Sequence, residues 1–291
     1  MKITDILRSK KVTLSYEVFP PKKGMPFEPI LQAVDRLCQS KPDFMSVTYG
    51  AGGGTGDNTV KIASHVQNDL GVTSLAHLSC VSSTREQVAS AIEEIKAAGI
   101  ENILALRGDI PQNGAYPVGE YYHYASELVT EIRGHGDFCI GAACYPEGHV
   151  ECTHKEDDIT NLKIKVDSGV DFLTTQMFFD NNVFYNFLYR IRERGITVPV
   201  IAGIMPVTNG KQIEKITQLS GTYVPTRFKA IVDKFGENPQ AMKQAGIAYA
   251  TEQIIDLVAN GIRGIHIYTM NKPDVAEQIR NNLSYIIGDK Q

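Results

Sequence analysis

The 291-residue chain is 43% hydrophobic and 21% charged, with 29 basic against 33 acidic side chains and a net charge of −4. That balance removes any general electrostatic case for nucleic acid or an anionic membrane, and the apolar share excludes wholesale disorder. No apolar run approaches a membrane span of roughly 18 residues, and residues 1–11 lack a signal-peptide core. Five cysteines without a C-x-x-C pair point to a reducing, cytoplasmic setting rather than a disulfide scaffold.

Along the chain, short apolar and β-branched runs occupy residues 12–19, 44–48, 74–79, 103–107, 138–144, 172–177, 198–205 and 264–268. Helical stretches separate them: 84–98, with Thr84 as N-cap and Gly99 as stop, then 180–194 before Gly195 and 208–219 before Gly221. Strand ends near 17, 48, 77, 107, 144, 176, 204 and 268 lie 31, 29, 30, 37, 32, 28 and 64 residues apart. About 30 residues is the period of a strand–helix–strand unit. The long last interval holds two further helical stretches, 226–235 and 239–260.

Eight strands, each followed by a helix, predict an α/β fold: a single (β/α)8 TIM barrel over residues 1–291. Continuously apolar runs fit parallel strands covered on both sides. A doubly wound sheet is the competing fold, and the glycine-rich run 50–56 invites a phosphate-binding turn. That run satisfies neither G-x-G-x-x-G nor G-x-x-x-x-G-K-[ST], so it reads as a loop after the second strand.

In a barrel the functional site gathers at the C-terminal ends of the strands. Those ends carry Glu17, Thr48-Tyr49, His77, Arg107-Gly108-Asp109, Tyr145, Gln176, Met205-Pro206 and the segment 268–271. Glu17, with apolar neighbours and Pro20-Pro21 beyond, is expected to be poorly solvated, with a raised pKa suited to a general acid; the bland alternative is an ion pair with a lysine or arginine. Arg107-Gly108-Asp109 reads either as a turn salt bridge or as backbone approaching a ligand between two charges. His77, alone in an apolar strand, reads as a structural group or a ligand contact. Cys144, His149, Cys152 and His154 form the one metal-like cluster, at spacings that fit no common zinc pattern.

Eight short motifs occur in order: Tyr16-Glu17-Val18-Phe19-Pro20-Pro21, Ser46-Val47-Thr48-Tyr49-Gly50-Ala51, Ala76-His77-Leu78-Ser79-Cys80, Ala105-Leu106-Arg107-Gly108-Asp109, Ala143-Cys144-Tyr145-Pro146-Glu147, Thr175-Gln176-Met177-Phe178-Phe179-Asp180, Gly203-Ile204-Met205-Pro206 and His266-Ile267-Tyr268-Thr269-Met270-Asn271. Together they resemble the flavin-dependent methylenetetrahydrofolate reductase family, of the short bacterial type, over about residues 12–285. The resemblance implies a barrel that holds FAD at the strand ends. NADH or NADPH reduces the flavin, and 5,10-methylenetetrahydrofolate is then reduced to 5-methyltetrahydrofolate at the same flavin face.

Residue by residue, the resemblance makes Glu17 the general acid and Asp109 the aspartate that holds the pterin beside the flavin. It assigns flavin contacts to Thr48, Tyr49, Ala51, His77, Arg107, Gly108, Asp109, Ala125, Tyr145, His149, Asp158, Asn161 and Lys165. Arg107, His149 and Lys165 fall on the pyrophosphate and ribose side, and Gln176 and Gln212 near substrate or nicotinamide. Lys272 stands where a family arginine meets the folate tail, and Ile216 where some relatives carry an aromatic ring. A homo-oligomer is implied as well. Two other readings remain: a flavin-binding subunit serving a redox partner protein, and a metal-dependent barrel hydrolase or lyase built on the Cys144–His154 cluster.

Overall fold

A computed structural model describes residues 1–49, 56–109 and 121–288, with the backbone alone at 56, 57, 155, 212, 214, 215, 218 and 219. The strands are β1 (Thr13–Val18), β2 (Phe44–Val47), β3 (Ser74–Ser79), β4 (Asn102–Leu106), β5 (Cys139–Cys144), β6 (Phe172–Thr175), β7 (Val200–Ile204) and β8 (Gly264–Tyr268). All pair in parallel, each with the next in sequence, and β8 returns to β1 with Thr13 opposite Gly264 and Glu17 opposite Tyr268. The closed eight-stranded barrel expected from the intervals is the observed fold, and each strand lies within two residues of its predicted bounds.

The helices are α1 (Ile3–Ser9), α2 (Glu28–Gln39), α3 (Gly56–Ser64, continued by a π-helical turn over His65–Asp69), α4 (Arg85–Ala97), α5 (Ala125–His135), α6 (Lys155–Asp167), α7 (Asn181–Glu193), α8 (Gly210–Ser220), α9 (Thr226–Phe235), α10 (Pro239–Ala259) and α11 (Pro273–Leu283). Their ends follow local chemistry. Thr84 and Gln87 form the reciprocal capping box of α4, and Asp180, Asn209 and Asn238 cap α7, α8 and α10 through their side-chain oxygens. Gly99, Gly195 and Gly221, read as stops, all take positive φ after their helices. No helix among the described residues is long and apolar enough to cross a membrane.

Two apolar layers leave the site where it is. Outward strand residues such as Leu14, Tyr16, Val18, Met45, Ile103 and Ile140 pack under Val34, Leu37, Val88, Ile92, Leu128 and Ile132 of the surrounding helices. Inside the barrel, Phe44, Leu75, Leu104, Phe172 and Ile201 meet Ile3, Ile6 and Leu7 of α1, which closes the N-terminal end. Burying each of these large side chains is worth about 1.5–3 kcal/mol. The strands are therefore not continuously apolar, as the sequence suggested. In β1, Thr13, Ser15 and Glu17 alternate with Leu14, Tyr16 and Val18, and all six are buried. Above the α1 plug Ser15, Glu17, Ser46, His77 and His266 give the barrel a buried polar layer toward the C-terminal ends of the strands.

Candidate active site

Glu17, 7% exposed, ends β1 between two buried histidines, His77 (4%) on β3 and His266 (2%) on β8. Its Oε2 lies 3.5 Å from His266 Nε2, 3.6 Å from His77 Nε2 and 3.4 Å from Ser46 Oγ. Ser46 Oγ is also 3.3 Å from His266 Nε2, and His266 Nδ1 is 2.8 Å from Ser15 Oγ, which reaches the Ile265 carbonyl at 3.1 Å. Two hydrogen-bond patterns satisfy this chain. With the proton on His266 Nε2, the ring donates toward an ionised Glu17 and accepts from Ser15. With the proton on Nδ1, the ring donates to Ser15 and its bare Nε2 accepts from a protonated Glu17. The carboxyl can gain or lose a proton without leaving His266 orphaned.

Burial opposes the charge on Glu17, but the His266 hydrogen bond, the charges of His77 and His266 wherever these imidazoles carry a proton, and the Ser46 hydroxyl together outweigh it, and the carboxyl lies below its ordinary value. This corrects the raised pKa expected from the sequence: apolar neighbours along β1 face the helices, while two histidines and a serine from other strands face the carboxyl. Nor is the partner a lysine or arginine. Burial pushes His77 down to about 4 against the attraction of Glu17, so this imidazole is neutral near pH 7. Among the described residues, His77 Nε2 and Asn181 Oδ1 are the buried side-chain polar atoms that lack a hydrogen-bond partner. An orphaned donor or acceptor at a barrel mouth is what a ligand contact leaves behind.

Tyr268, at the end of β8, crosses this space. Its hydroxyl donates to the Thr175 carbonyl at 2.5 Å, and its ring meets His266 edge-on at 5.4 Å. Burial, then the Glu17 charge, holds the phenol well above the ordinary tyrosine value. The crossing requires Gly203: a Cβ there would sit 2.4 Å from the Thr175 carbonyl oxygen and 2.6 Å from the Tyr268 hydroxyl.

At the end of β4, Arg107 forms a bidentate pair with Glu151, both contacts 2.6 Å, and its Nε donates to the Gly108 carbonyl at 3.2 Å. The turn salt bridge with Asp109 is thus replaced by one to the β5–α6 loop. Gly108, at φ +88°, lies close against the end of β3: a Cβ would meet Ser79 Cβ at 3.1 Å and Val81 Cγ1 at 3.2 Å. Asp109 is exposed beside it.

The neighbouring wall comes from β5 and α6. Asp158, Asn161 and Lys165 fall on one helical face at spacings of three and four. Lys165 Nζ donates to the Ala143 carbonyl at 2.7 Å, and burial lowers its pKa while raising that of Asp158. Tyr145 packs edge-on to His149 at 4.6 Å, and burial pushes its phenol up to about 12. His149 is held below its ordinary value by burial and then by the Arg107 charge, and its Nδ1 accepts from the Glu151 amide at 3.1 Å.

Elsewhere on the rim, Thr48 accepts at its carbonyl from Thr59 Oγ1 at 2.9 Å, Tyr49 packs on the outer core, and Ala125 begins α5. Gln176 Oε1 accepts from the Met177 amide at 2.9 Å. Lys272 Nζ donates to Thr208 Oγ1 at 2.8 Å beside a small cleft that Ile216 also lines. Ala51 lies outside the described residues, as does the side chain of Gln212, whose backbone belongs to α8.

Of the metal-like cluster, Cys144 is buried in the core beneath the helices and Cys152 Sγ donates to the His154 carbonyl at 3.3 Å. No group of three or more metal-ligating side chains is assembled among the described residues. Ser15, Ser46 and above all His266 are site residues that the strand ends did not single out, whereas Tyr268 was among those ends without a role. Their signal was the alternation within β1 and β8, which puts Ser15, Glu17, His266 and Tyr268 on the inner face.

Residues 2–284 match the family model described as methylenetetrahydrofolate reductase. The chain is 37% identical to methylenetetrahydrofolate reductase (NADH) 1 of Zea mays over 98% of its own length, spanning about half of that relative (50%). It is 35% identical to 5,10-methylenetetrahydrofolate reductase of Pectobacterium carotovorum subsp. carotovorum, covering 94% of this chain and 90% of that one. Among solved structures, an uncharacterized protein from Clostridium thermocellum that binds two copies of 5-methyl-5,6,7,8-tetrahydrofolic acid superposes with a TM-score of 0.64 at 16% identity, over 98% of this chain and 100% of that one. At that identity the likeness is one of fold.

Proposed function

The chain belongs to the methylenetetrahydrofolate reductase family, and on that premise we propose that it reduces 5,10-methylenetetrahydrofolate to 5-methyltetrahydrofolate with a reduced nicotinamide nucleotide, using FAD. The maize relative is named for NADH, which favours NADH as the donor here. The observation that carries this reading is the buried Glu17 with its two histidines, one with an unpartnered nitrogen, at the open end of the barrel.

The residues present fit a flavin dinucleotide. A pyrophosphate and ribose would draw on Arg107, in exchange for its pair with Glu151, and on the His149 ring, with Asp158, Asn161 and Lys165 on one face of α6. His77 Nε2, buried 3.6 Å from the Glu17 carboxylate, has no hydrogen-bond partner among the described residues and is free to take one from a ligand. FAD, when bound, supplies hydride transfer between nicotinamide and folate.

The chain's own work is acid chemistry and charge. Opening the bridged methylene of the folate requires a proton on a ring nitrogen, and Glu17 is the group that delivers it. Its surroundings hold the carboxyl below its ordinary value, so Glu17 must take up a proton before it acts as the acid. A bound pterin that excludes water strengthens the burial that opposes the charge, and the second His266 pattern accepts the protonated form. Asp109 stabilises the cationic folate that follows. Gln176 orients the substrates, and Lys272 meets the folate carboxylates as a point charge rather than a fork.

The purified protein is expected to be yellow, to bleach anaerobically on adding NADH, and to regain colour with methylenetetrahydrofolate. Glu17→Gln keeps the first half-reaction and slows the second by about 10²-fold or more. A colourless protein that leaves NADH unoxidised overturns the assignment.

A further inference from the structure

On the β8 side the backbone ladder of β1 stops at Glu17, opposite Tyr268; on the β2 side it runs one residue further, with the Thr48 amide donating to the Val18 carbonyl at 3.0 Å, and Pro20 and Pro21, which lack amide hydrogens, follow Phe19. From there the exit of the strand is held by side chains of the turn after β8. Thr269 Oγ1 donates to the Glu17 carbonyl at 2.6 Å. Asn271 Oδ1 accepts from the Phe19 amide at 2.8 Å, and its Nδ2 donates to the Phe19 carbonyl at 2.9 Å. One side-chain amide thus answers both polar groups of Phe19, as the next residue of a neighbouring strand would.

Presenting that amide requires unusual backbone. Met270 and Asn271 are consecutive non-glycine residues in the left-handed region, at φ +52° and +55°. Thr269 Oγ1 accepts from the Asn271 amide at 3.2 Å and ties the turn to itself. Such strain persists only where surrounding contacts over-determine it, and it concentrates at functional sites. Here the side-chain contacts that the turn makes to β1 end on the Glu17 carbonyl and on both backbone polar groups of Phe19.

We infer that Asn271, with Thr269, is a positioning residue for Glu17: it fixes how deeply β1 delivers the carboxyl between His77 and His266. At separations of 3.4–3.6 Å from its three partners, the carboxyl sits where a displacement of a few tenths of an ångström makes or breaks its hydrogen bonds. The inference rests on Glu17 acting as the acid.

The test uses the purified flavin-loaded protein and three variants. Asn271→Ala removes both bonds to Phe19, Asn271→Asp keeps the acceptor and loses the donor, and Met270→Gly relieves the left-handed backbone while leaving the clamp. Each half-reaction is followed separately, and the folate step is measured across pH. Asn271→Ala is expected to keep reduction by NADH within about twofold and to lower kcat of the folate step ten-fold or more with little change in KM, the scale of a misplaced catalytic group. Its pH profile shifts, Asn271→Asp falls between, and Met270→Gly behaves as the unaltered protein. Dissociation of 5-methyltetrahydrofolate, measured by calorimetry, stays within about threefold throughout.

A double variant separates the two ideas. If Asn271 acts through Glu17, adding Asn271→Ala to Glu17→Gln costs nothing more in the folate step. Full additivity, or an Asn271→Ala protein with an unchanged folate step and pH profile, overturns the positioning role. Glu17→Gln with normal folate turnover instead overturns the acid assignment itself.

Discussion

His266 Nε2 stands 3.5 Å from Glu17 Oε2 while its Nδ1 meets Ser15 Oγ at 2.8 Å, so one imidazole from the last strand governs the proton on a carboxyl of the first. Its hydrogen bond is the foremost influence that pulls Glu17 below the ordinary carboxylate range against burial. His266→Phe keeps a ring against Phe44 and Tyr268 but removes that bond. Glu17 then holds its proton to higher pH, and the alkaline limb of the folate step's kcat/KM profile is expected to move upward. A limb that stays put or moves down, in protein that still melts cooperatively, counts against the pairing.

Arg107 presents a fork to Glu151, and the proposed dinucleotide pyrophosphate needs the same planar geometry. Lysine keeps the charge without the fork. Arg107→Lys should weaken flavin retention by on the order of ten-fold, the scale of one charge-assisted hydrogen bond. Flavin fluorescence during dilution reads this directly, and unchanged retention would remove Arg107 from the phosphate site.

Gly203 exists to let Tyr268 across the barrel. Gly203→Ala puts a methyl 2.4 Å from the Thr175 carbonyl oxygen and 2.6 Å from the Tyr268 hydroxyl. Relief requires the tyrosine to leave its bond to Thr175, and overpacking of this kind costs about 1–3 kcal/mol. Urea unfolding should show the loss, and the folate step should slow more than reduction by NADH, because Tyr268 borders Glu17. A silent substitution would mean that the two residues are not in contact.

A pH-dependent brace lies far from the mouth. His135, in the last turn of α5, has Nδ1 2.7 Å from Glu93 of α4 and Nε2 3.0 Å from Glu131. The Glu93 bond, then the Glu131 bond, raises its pKa. A raised folded pKa adds stability that is fully present below the unfolded value of about 6.5 and is lost as pH rises through the folded value. His135→Gln should therefore lower the urea midpoint at about pH 5.5 and much less at about pH 8.5. A deficit that is equal at both values would show that the charge contributes nothing.

The barrel was legible because its period is local: each strand, cap and stop is written within about 30 residues, as Thr84 with Gln87 and Gly99 show. The motif ends named most of the mouth for the same reason. The electrostatics of Glu17 were not legible, because every group that shifts it lies on another strand. Ser46 is 29 residues away, and His77 and His266 come from β3 and β8. His266 opens the last motif with nothing local to point to Glu17, and Glu151 is a loop acid 44 residues from the arginine it grips. The α1 plug was missed too: seven residues of mixed polarity show their apolar face only once the open end of the barrel is there to receive Ile3, Ile6 and Leu7.

The seam between β1 and β8 also sets a schedule. Glu17 emerges early in synthesis, but Thr269 and Asn271 follow 252 residues behind the backbone groups they hold. At about 5–20 residues per second on the ribosome, that gap lasts roughly 10–50 s. Throughout it the carboxyl has neither its histidine from the last strand nor its anchored backbone. The corner around the Glu17 carboxyl closes only with β8, and a nascent chain stalled before residue 264 carries seven strands without the His266, Thr269 and Asn271 that hold it.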